Sequence, residues 1–164
     1  MAKKKVLLIP GDGIGKEVVS AAALVLAHFD DMLRISQAEG GFEYWQRTGR
    51  SLPCDAVRLV EDADGVLFGA TGTPYQPPPG YESPILRLRK LVGGCANLRF
   101  CANPLTGVDI LIVRECTEGM YGAEESEDHD GAISIVRTSI AATKAVAEKA
   151  WTCAQSRQAP VTIV

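Results

Sequence analysis

Residues 5–29, KVLLIPGDGIGKEVVSAAALVLAHF, restrict the possible folds more than any other part of the chain. A short apolar run, VLLIP, stops at GDGIG, and an Ala-, Leu- and Val-rich stretch follows from Ile14 to about Phe29. An apolar run of strand length closed by glycines reads as a strand and its turn, and the longer stretch behind it as a helix. Strand, tight turn and helix open an α/β unit. GDGIG is not G-x-G-x-x-G, and so short a glycine pattern reads as a tight turn into a helix rather than as a phosphate cradle. His28 falls near the end of this helix, where a histidine interacts favourably with the helix dipole.

The same alternation continues. LRISQAE reads as a strand, GFEYWQRTG as a short helix ended by Gly49, and PCDAVRLVEDAD as a helix with Pro53 suited to its first turn. GVLFGA is a buried strand, and the proline-rich loop TGTPYQPPPGYESP interrupts the pattern after it. Long loops after strands of α/β sheets are usual places for ligand sites. CANLRFCA, the buried-looking VDILIVRE and GAISIVRTS read as strands, with TEGMYGAEE as an acidic turn. SIAATKAVAEKAWTCAQSR reads as a helix capped by Thr138 or Ser139. The closing PVTIV looks like a strand just begun, so the architecture is expected to be incomplete at Val164.

Composition excludes several partners. The 164 residues are 46% hydrophobic and 23% charged with a net charge of −3, which describes a globular chain without the basic stripe that nucleic-acid binding needs. No apolar run approaches the roughly 20 residues that cross a membrane. The five cysteines have neither C-x-x-C pairs nor metal-ligand spacing, and free thiols point to a reducing, cytoplasmic setting.

The informative charges are arginines in apolar surroundings. On a helical wheel of SPILRLRKL with about 100° per residue, Ile85, Leu88, Leu91 and Val92 share a face. Arg87 and Lys90 point to water, but Arg89 falls at about 40°, inside the apolar arc. A guanidinium there needs a partner, because burying it alone costs several kcal/mol. A structural ion pair, a snorkelling side chain and an anion site all satisfy that need. Arg99 in CANLRF and Arg114 in DILIVRE repeat the pattern in strands. Three arginines in apolar elements suit a di- or tricarboxylate ligand, since a guanidinium binds a carboxylate bidentately. Tyr121 reads either as a core-edge tyrosine or as a general acid.

IPGDGIGKEV, SPILRLRK, ANLR, DILIVRECTEGMY and PVTIV occur in this order, and together they resemble the isocitrate/isopropylmalate dehydrogenase family of metal-dependent β-decarboxylating dehydrogenases. The resemblance covers essentially the whole chain. It implies the α/β fold of that family, incomplete at the C-terminus. Residues 1–103 would be the N-terminal part of the terminal, cofactor-side domain, and 104–164 the truncated start of the substrate and dimerisation domain. It implies that Arg89, Arg99 and Arg114 clamp the carboxylates of a malate-type substrate, with Ser83 beside its variable group. Tyr121 would protonate the enol left by decarboxylation. Ala70, Thr71 and Thr73 would lie near the nicotinamide, and Glu82 near its ribose.

The implied cofactors are NAD and Mg²⁺ or Mn²⁺, with the metal ligands and the catalytic lysine expected beyond the position matching Val164. A homodimer is implied for the complete protein, and the 164-residue chain alone is expected to be inactive. The register before Arg89 is similar to isopropylmalate dehydrogenases, whereas SPI and TEG-x-Y look more like homoisocitrate or isocitrate relatives. A 3-substituted malate is the expected substrate, 3-isopropylmalate or homoisocitrate ahead of isocitrate. The alternative is a non-catalytic polycarboxylate-binding fragment or regulatory partner subunit.

Overall fold

The apolar run near the N-terminus forms β1 (Lys4–Ile9), the central strand of a three-stranded parallel sheet ordered β2-β1-β3. β2 (Leu33–Gln37) lies on one side and β3 (Gly65–Phe68) on the other, so that Val6 is opposite both Ile35 and Gly65. A central parallel strand is covered on both faces, and Leu7, Leu8 and Ile9 are accordingly all buried. The computed structural model describes residues 2–164 and divides into two compact units, Met1–Val92 and Gly93–Val164.

In the first unit α1 (Ile14–Leu26) connects β1 to β2 and buries Gly15 and Val19. His28 follows in a 3-10 turn, its Nδ1 2.9 Å from the Leu24 carbonyl oxygen, at the helix end where it was expected. α2 (Phe42–Thr48) ends at Gly49, which takes the left-handed conformation and donates to the Trp45 carbonyl, as the sequence predicts. α3 (Ala56–Glu61) departs from its prediction. Pro53 does not sit in its first turn; its carbonyl accepts the Ala56 N–H, and the intervening turn places Asp55 at the N-cap position. α4 (Pro84–Leu91) does carry its proline in the first turn. Leu7, Ile9, Leu52, Ala56, Val60 and Leu88 form the core, with Val66, Phe68 and Leu91 packed around it. Each fully buried large side chain contributes about 1.5–3 kcal/mol.

The basic N-terminus is fastened to this sheet. Lys4 Nζ lies 2.8 Å from Asp64 Oδ1, the Lys5 N–H donates to Asp64 Oδ2 at 2.8 Å, and Lys5 Nζ pairs with Asp62. Hydrogen bonds from Lys4 and from the Lys5 amide hold the Asp64 carboxyl below the usual carboxylate range, and the bond from Lys5 does the same for Asp62. A carboxyl with a lowered folded pKa contributes stability that is present above its unfolded value, near 3.9, and lost as pH falls through the lower folded value. The urea midpoint of the chain is therefore expected to drop as pH falls below about 4. D64N should reduce that acid sensitivity, and roughly 1 M salt should blunt it, because the pairs are exposed.

The second unit holds two antiparallel hairpins and a helix. β4 (Asn97–Asn103) pairs with β5 (Val108–Arg114), and β6 (Glu124–Asp128) with β7 (Gly131–Ile135). α5 (Ile140–Arg157) is capped by Ser139, whose Oγ accepts the Ala142 N–H at 3.1 Å. Three expectations change here. β5 is not a buried strand: Ile110 and Ile112 are 55% and 46% exposed, because α5 meets the hairpin on the opposite face, where Arg157 reaches Asp109 and Phe100. Acidic residues read as part of a turn form β6, since the following strand supplies ladder partners from Ile135 to Gly131. PVTIV joins no strand ladder; Val161 and Thr162 line a cavity beside Leu111 and Val113 instead. Among the described residues no helix is long and apolar enough to cross a membrane.

Candidate functional site

The sheet order 2-1-3 makes the C-terminal ends of β1 and β3 a topological switch point, where open α/β sheets place ligands. GDGIG leaves β1 there, and Ala70, Thr71 and Thr73 leave β3. The two segments are laced together: the Gly69 N–H donates to the Ile9 carbonyl and the Asp12 N–H to the Ala70 carbonyl, both at 2.8 Å. Gly15 allows this approach. A Cβ on it would lie 2.2 Å from the Pro10 carbonyl oxygen and 2.7 Å from that of Ala70.

Asp12 is buried, and its carboxylate accepts three backbone N–H groups: Phe42 at 2.7 Å, Glu43 at 2.9 Å and Gly72 at 2.8 Å. Ala70 and Thr73 are exposed beside this hub and Thr71 is half-buried. No local pattern marks Asp12 as a hub; the sequence shows only an acid held between two glycines in a turn that must take unusual backbone angles.

Glu82 and Ser83 precede α4. Ser83 occupies the N-cap position without a side-chain capping bond. Glu82 is exposed, and its Oε2 lies 3.8 Å from Arg87 Nη1. Arg87 is thus not simply directed to water as the wheel placed it; it folds back and is half-covered, because the chain entering the helix carries an acid within reach. Arg89 lies where the wheel put it, on the apolar side. It lines a cavity of about 520 Å³ with Val60, Val66, Phe68, Ile85 and Leu88. Glu61 and Asp64 also line that cavity, so its wall is mixed in charge.

The other candidates belong to the second unit. Asn97 is opposite Arg114, and Arg99 opposite Ile112, so both arginines project from one face of the β4–β5 hairpin. α5 contacts the other face, which leaves these guanidinium groups on the uncovered side. The Arg114 guanidinium stands 5.2 Å from the Tyr121 ring centroid, a cation–π distance, and its Nη2 is 3.2 Å from Met120 Sδ. The structure therefore brings together two residues that the sequence separates.

Two further acids, Glu115 and Glu118, hold this arrangement, and nothing in the sequence around them marks that role. Glu115 accepts the Thr117 N–H and hydroxyl at 2.7 and 2.6 Å and the Glu118 N–H at 3.0 Å. Burial opposes the Glu115 charge, but these bonds outweigh it and keep its carboxyl below the ordinary range. Glu118 accepts the Ser139 N–H and hydroxyl at 2.7 and 2.9 Å, tying the turn before Tyr121 to the start of α5. Among the described residues the one group of side chains close enough to share an ion is Asp128, His129 and Asp130, all exposed at the β6–β7 turn. That is a short acidic turn, and it includes none of the arginines or Tyr121.

Residues 5–164 match the description of the isocitrate/isopropylmalate dehydrogenase family. The chain belongs to that family. The sequence is 34% identical over 160 residues to an isocitrate/homoisocitrate dehydrogenase of Pyrococcus horikoshii, covering 98% of this chain and 46% of that protein. It is 39% identical over 126 residues to a 3-isopropylmalate dehydrogenase of Archaeoglobus fulgidus, covering 72% and 36%. Among solved structures, the β-decarboxylating dehydrogenase of Thermococcus kodakarensis in its apo form matches with a TM-score of 0.76 and 36% identity, over 95% of this chain and 47% of that one. An isocitrate dehydrogenase of Methylococcus capsulatus matches with a TM-score of 0.81 and 25% identity, over 95% and 49%. The chain thus spans about half the length of the isocitrate/isopropylmalate-type dehydrogenases it resembles. The fold expected from the sequence, α/β and of this family, is the observed one.

Proposed function

We propose that the chain is the N-terminal portion of an NAD-dependent oxidative decarboxylase of a 3-substituted malate, inactive on its own. The observation that carries this reading is the Arg114–Tyr121 pair, a cation held 5.2 Å from the centre of a phenol ring on a hairpin face that also presents Arg99. Arg89, Arg99 and Arg114 bind and orient substrate carboxylates, which converts binding energy into geometry at the reacting carbon. Tyr121 donates its phenolic proton to the carbon that loses CO₂, and Glu115 and Glu118 fix the turn that aims it.

On the cofactor side, the hydroxyls of Thr71 and Thr73 and the carboxylate of Glu82 would hold the nicotinamide end of NAD, with Ala70 leaving room beside them. Its nicotinamide, when bound, supplies the hydride acceptor. Mg²⁺ or Mn²⁺ would take its ligands from residues of the complete, dimeric enzyme beyond the position matching Val164. The relatives' names span 3-isopropylmalate, homoisocitrate and isocitrate. The apolar Ile85 and Leu86 next to Ser83 favour 3-isopropylmalate, whose variable group carries no charge, with homoisocitrate and then isocitrate as the next candidates.

Titrating the chain with 3-isopropylmalate, homoisocitrate and isocitrate while following the Arg114 and Tyr121 resonances tests the reading. Saturable shifts are expected, and R114Q should weaken binding at least tenfold, the loss of one charged bidentate contact worth about 1.5–3 kcal/mol. With NAD, Mg²⁺ and substrate, no NADH should form. Binding unaffected by R114Q would refute the clamp; steady turnover by the pure chain would refute the inactivity.

A further inference from the structure

Asp12 does more than close a turn. A carboxylate that is buried and bonded to three backbone amides is a strong local constraint, because each bond to a charged group is stronger than a neutral one and burial limits competition from water. What it constrains is specific. Phe42 and Glu43 begin α2, and Gly72 lies between Thr71 and Thr73. One side chain therefore ties the loop after β3 to the start of α2.

The far end of the same loop returns to the same helix. Tyr81 packs edge-on against Phe42 and Trp45, with ring centroids 5.5 and 5.6 Å apart, while Phe42 and Trp45 stack at 5.9 Å. Its hydroxyl reaches the Gly72 carbonyl in a long hydrogen bond of 3.5 Å. The Gly72 residue is thus held on its N–H side by Asp12 and on its C=O side by Tyr81. Burial, and secondarily the Asp12 charge, push the Tyr81 phenol up, so it stays a donor. Between these anchors the loop reaches out into solvent at Tyr75, which is 99% exposed. Gly41 leaves the space that the carboxylate occupies. A Cβ there would lie 2.4 Å from Asp12 Oδ1, at a φ of 120°.

We propose that Asp12 is a positioning residue for the cofactor: with Tyr81 it pins both ends of the 72–81 loop to α2 and thereby sets where Thr71, Thr73 and Glu82 stand. This rests on the cofactor-side reading of those residues. Asp12 touches no reacting atom in this scheme; it acts through the loop.

Amide exchange and NADH titration, both read by NMR on the 164-residue chain, test it with D12N and Y81F. An amide side chain presents one acceptor atom where the carboxylate presented two, so D12N must point its NH₂ either at Glu43 or at both Phe42 and Gly72. Expected are at least tenfold faster exchange at Gly72 or Glu43 in D12N, less than twofold change at Leu7 to Ile9, and a Kd for NADH at least fivefold weaker. Y81F keeps the ring and loses the hydroxyl; it should weaken NADH at least twofold with β1 exchange unchanged. Acceleration shared equally by β1, or failure of D12N to fold, would make Asp12 a structural residue only and overturn the proposal. So would faster loop exchange with unchanged NADH affinity in both variants. A wild-type chain that shows no NADH-induced shift at Thr71 and Thr73 refutes the cofactor-side reading, and the positioning role falls with it. The exchange data would then still report whether Asp12 staples the loop, which separates the two failures.

Discussion

Replacing Gly15 with alanine is expected to cost the first unit at least about 3 kcal/mol, at the upper end of what overpacking a fixed site does. Intrinsic preference points the other way, since alanine inside a helix is favoured over glycine by about 0.5–1 kcal/mol. The sign of the effect therefore decides between helix propensity and tertiary packing. Packing wins because the added carbon meets backbone on both sides, 2.2 Å from Pro10 O, 2.7 Å from Ala70 O and 2.8 Å from Ala70 N. Those atoms follow β1 and β3, and moving them would break the Asp12–Ala70 and Gly69–Ile9 hydrogen bonds. Urea denaturation followed by circular dichroism measures the loss. G72A serves as the control, because a Cβ there meets its nearest atom at 3.7 Å, an ordinary contact. A G15A chain as stable as the parent would mean that α1 does not approach Ala70 as described.

The second large effect is a contrast between the units. Amides of β4 to β7 are expected to exchange at least 100-fold faster than those of β1, and limited proteolysis should cut within residues 93–164 first. The reason is the distribution of apolar burial. Among the described residues eight buried hydrophobic side chains lie in the first unit, whereas Cys116 is the one in the second. Ordering each backbone residue costs about 1–2 kcal/mol, and a segment that buries so little cannot offset that locally. Phe100, Ile110, Ile112, Ile133 and Ile135 all remain substantially exposed. Protection in β4–β5 equal to that in β1 would show that these apolar faces are covered in solution.

The difference also explains what could be read in advance. VLLIP and its glycine turn announced a strand, and β1 is that strand; its place at the buried centre of a parallel sheet came from its pairing with β2 and β3. Helix ends carry local signals, so Gly49 was legible and the cap of α5 narrowed to Thr138 or Ser139, of which Ser139 is the one used. VDILIVRE misled on burial because an apolar strand looks the same whether or not something covers its second face. EESED was missed as a strand because its pairing, not its composition, makes it one. The arginines stood out as charges in apolar elements, and the wheel placed Arg89 correctly, but Arg87 turned back to an acid that lies before the helix.

By itself the sequence determined the α/β class, the order of most elements and which arginines interrupt apolar segments, because hydrophobic period, turn residues and caps act over a few positions. Only the tertiary structure decided which of those residues meet. It set Arg114 over Tyr121 and gathered the Asp12 bonds from residues 30 to 60 positions away. Hydrogen bonds and cation–π contacts depend on distance in space, and no local pattern along the chain encodes that distance.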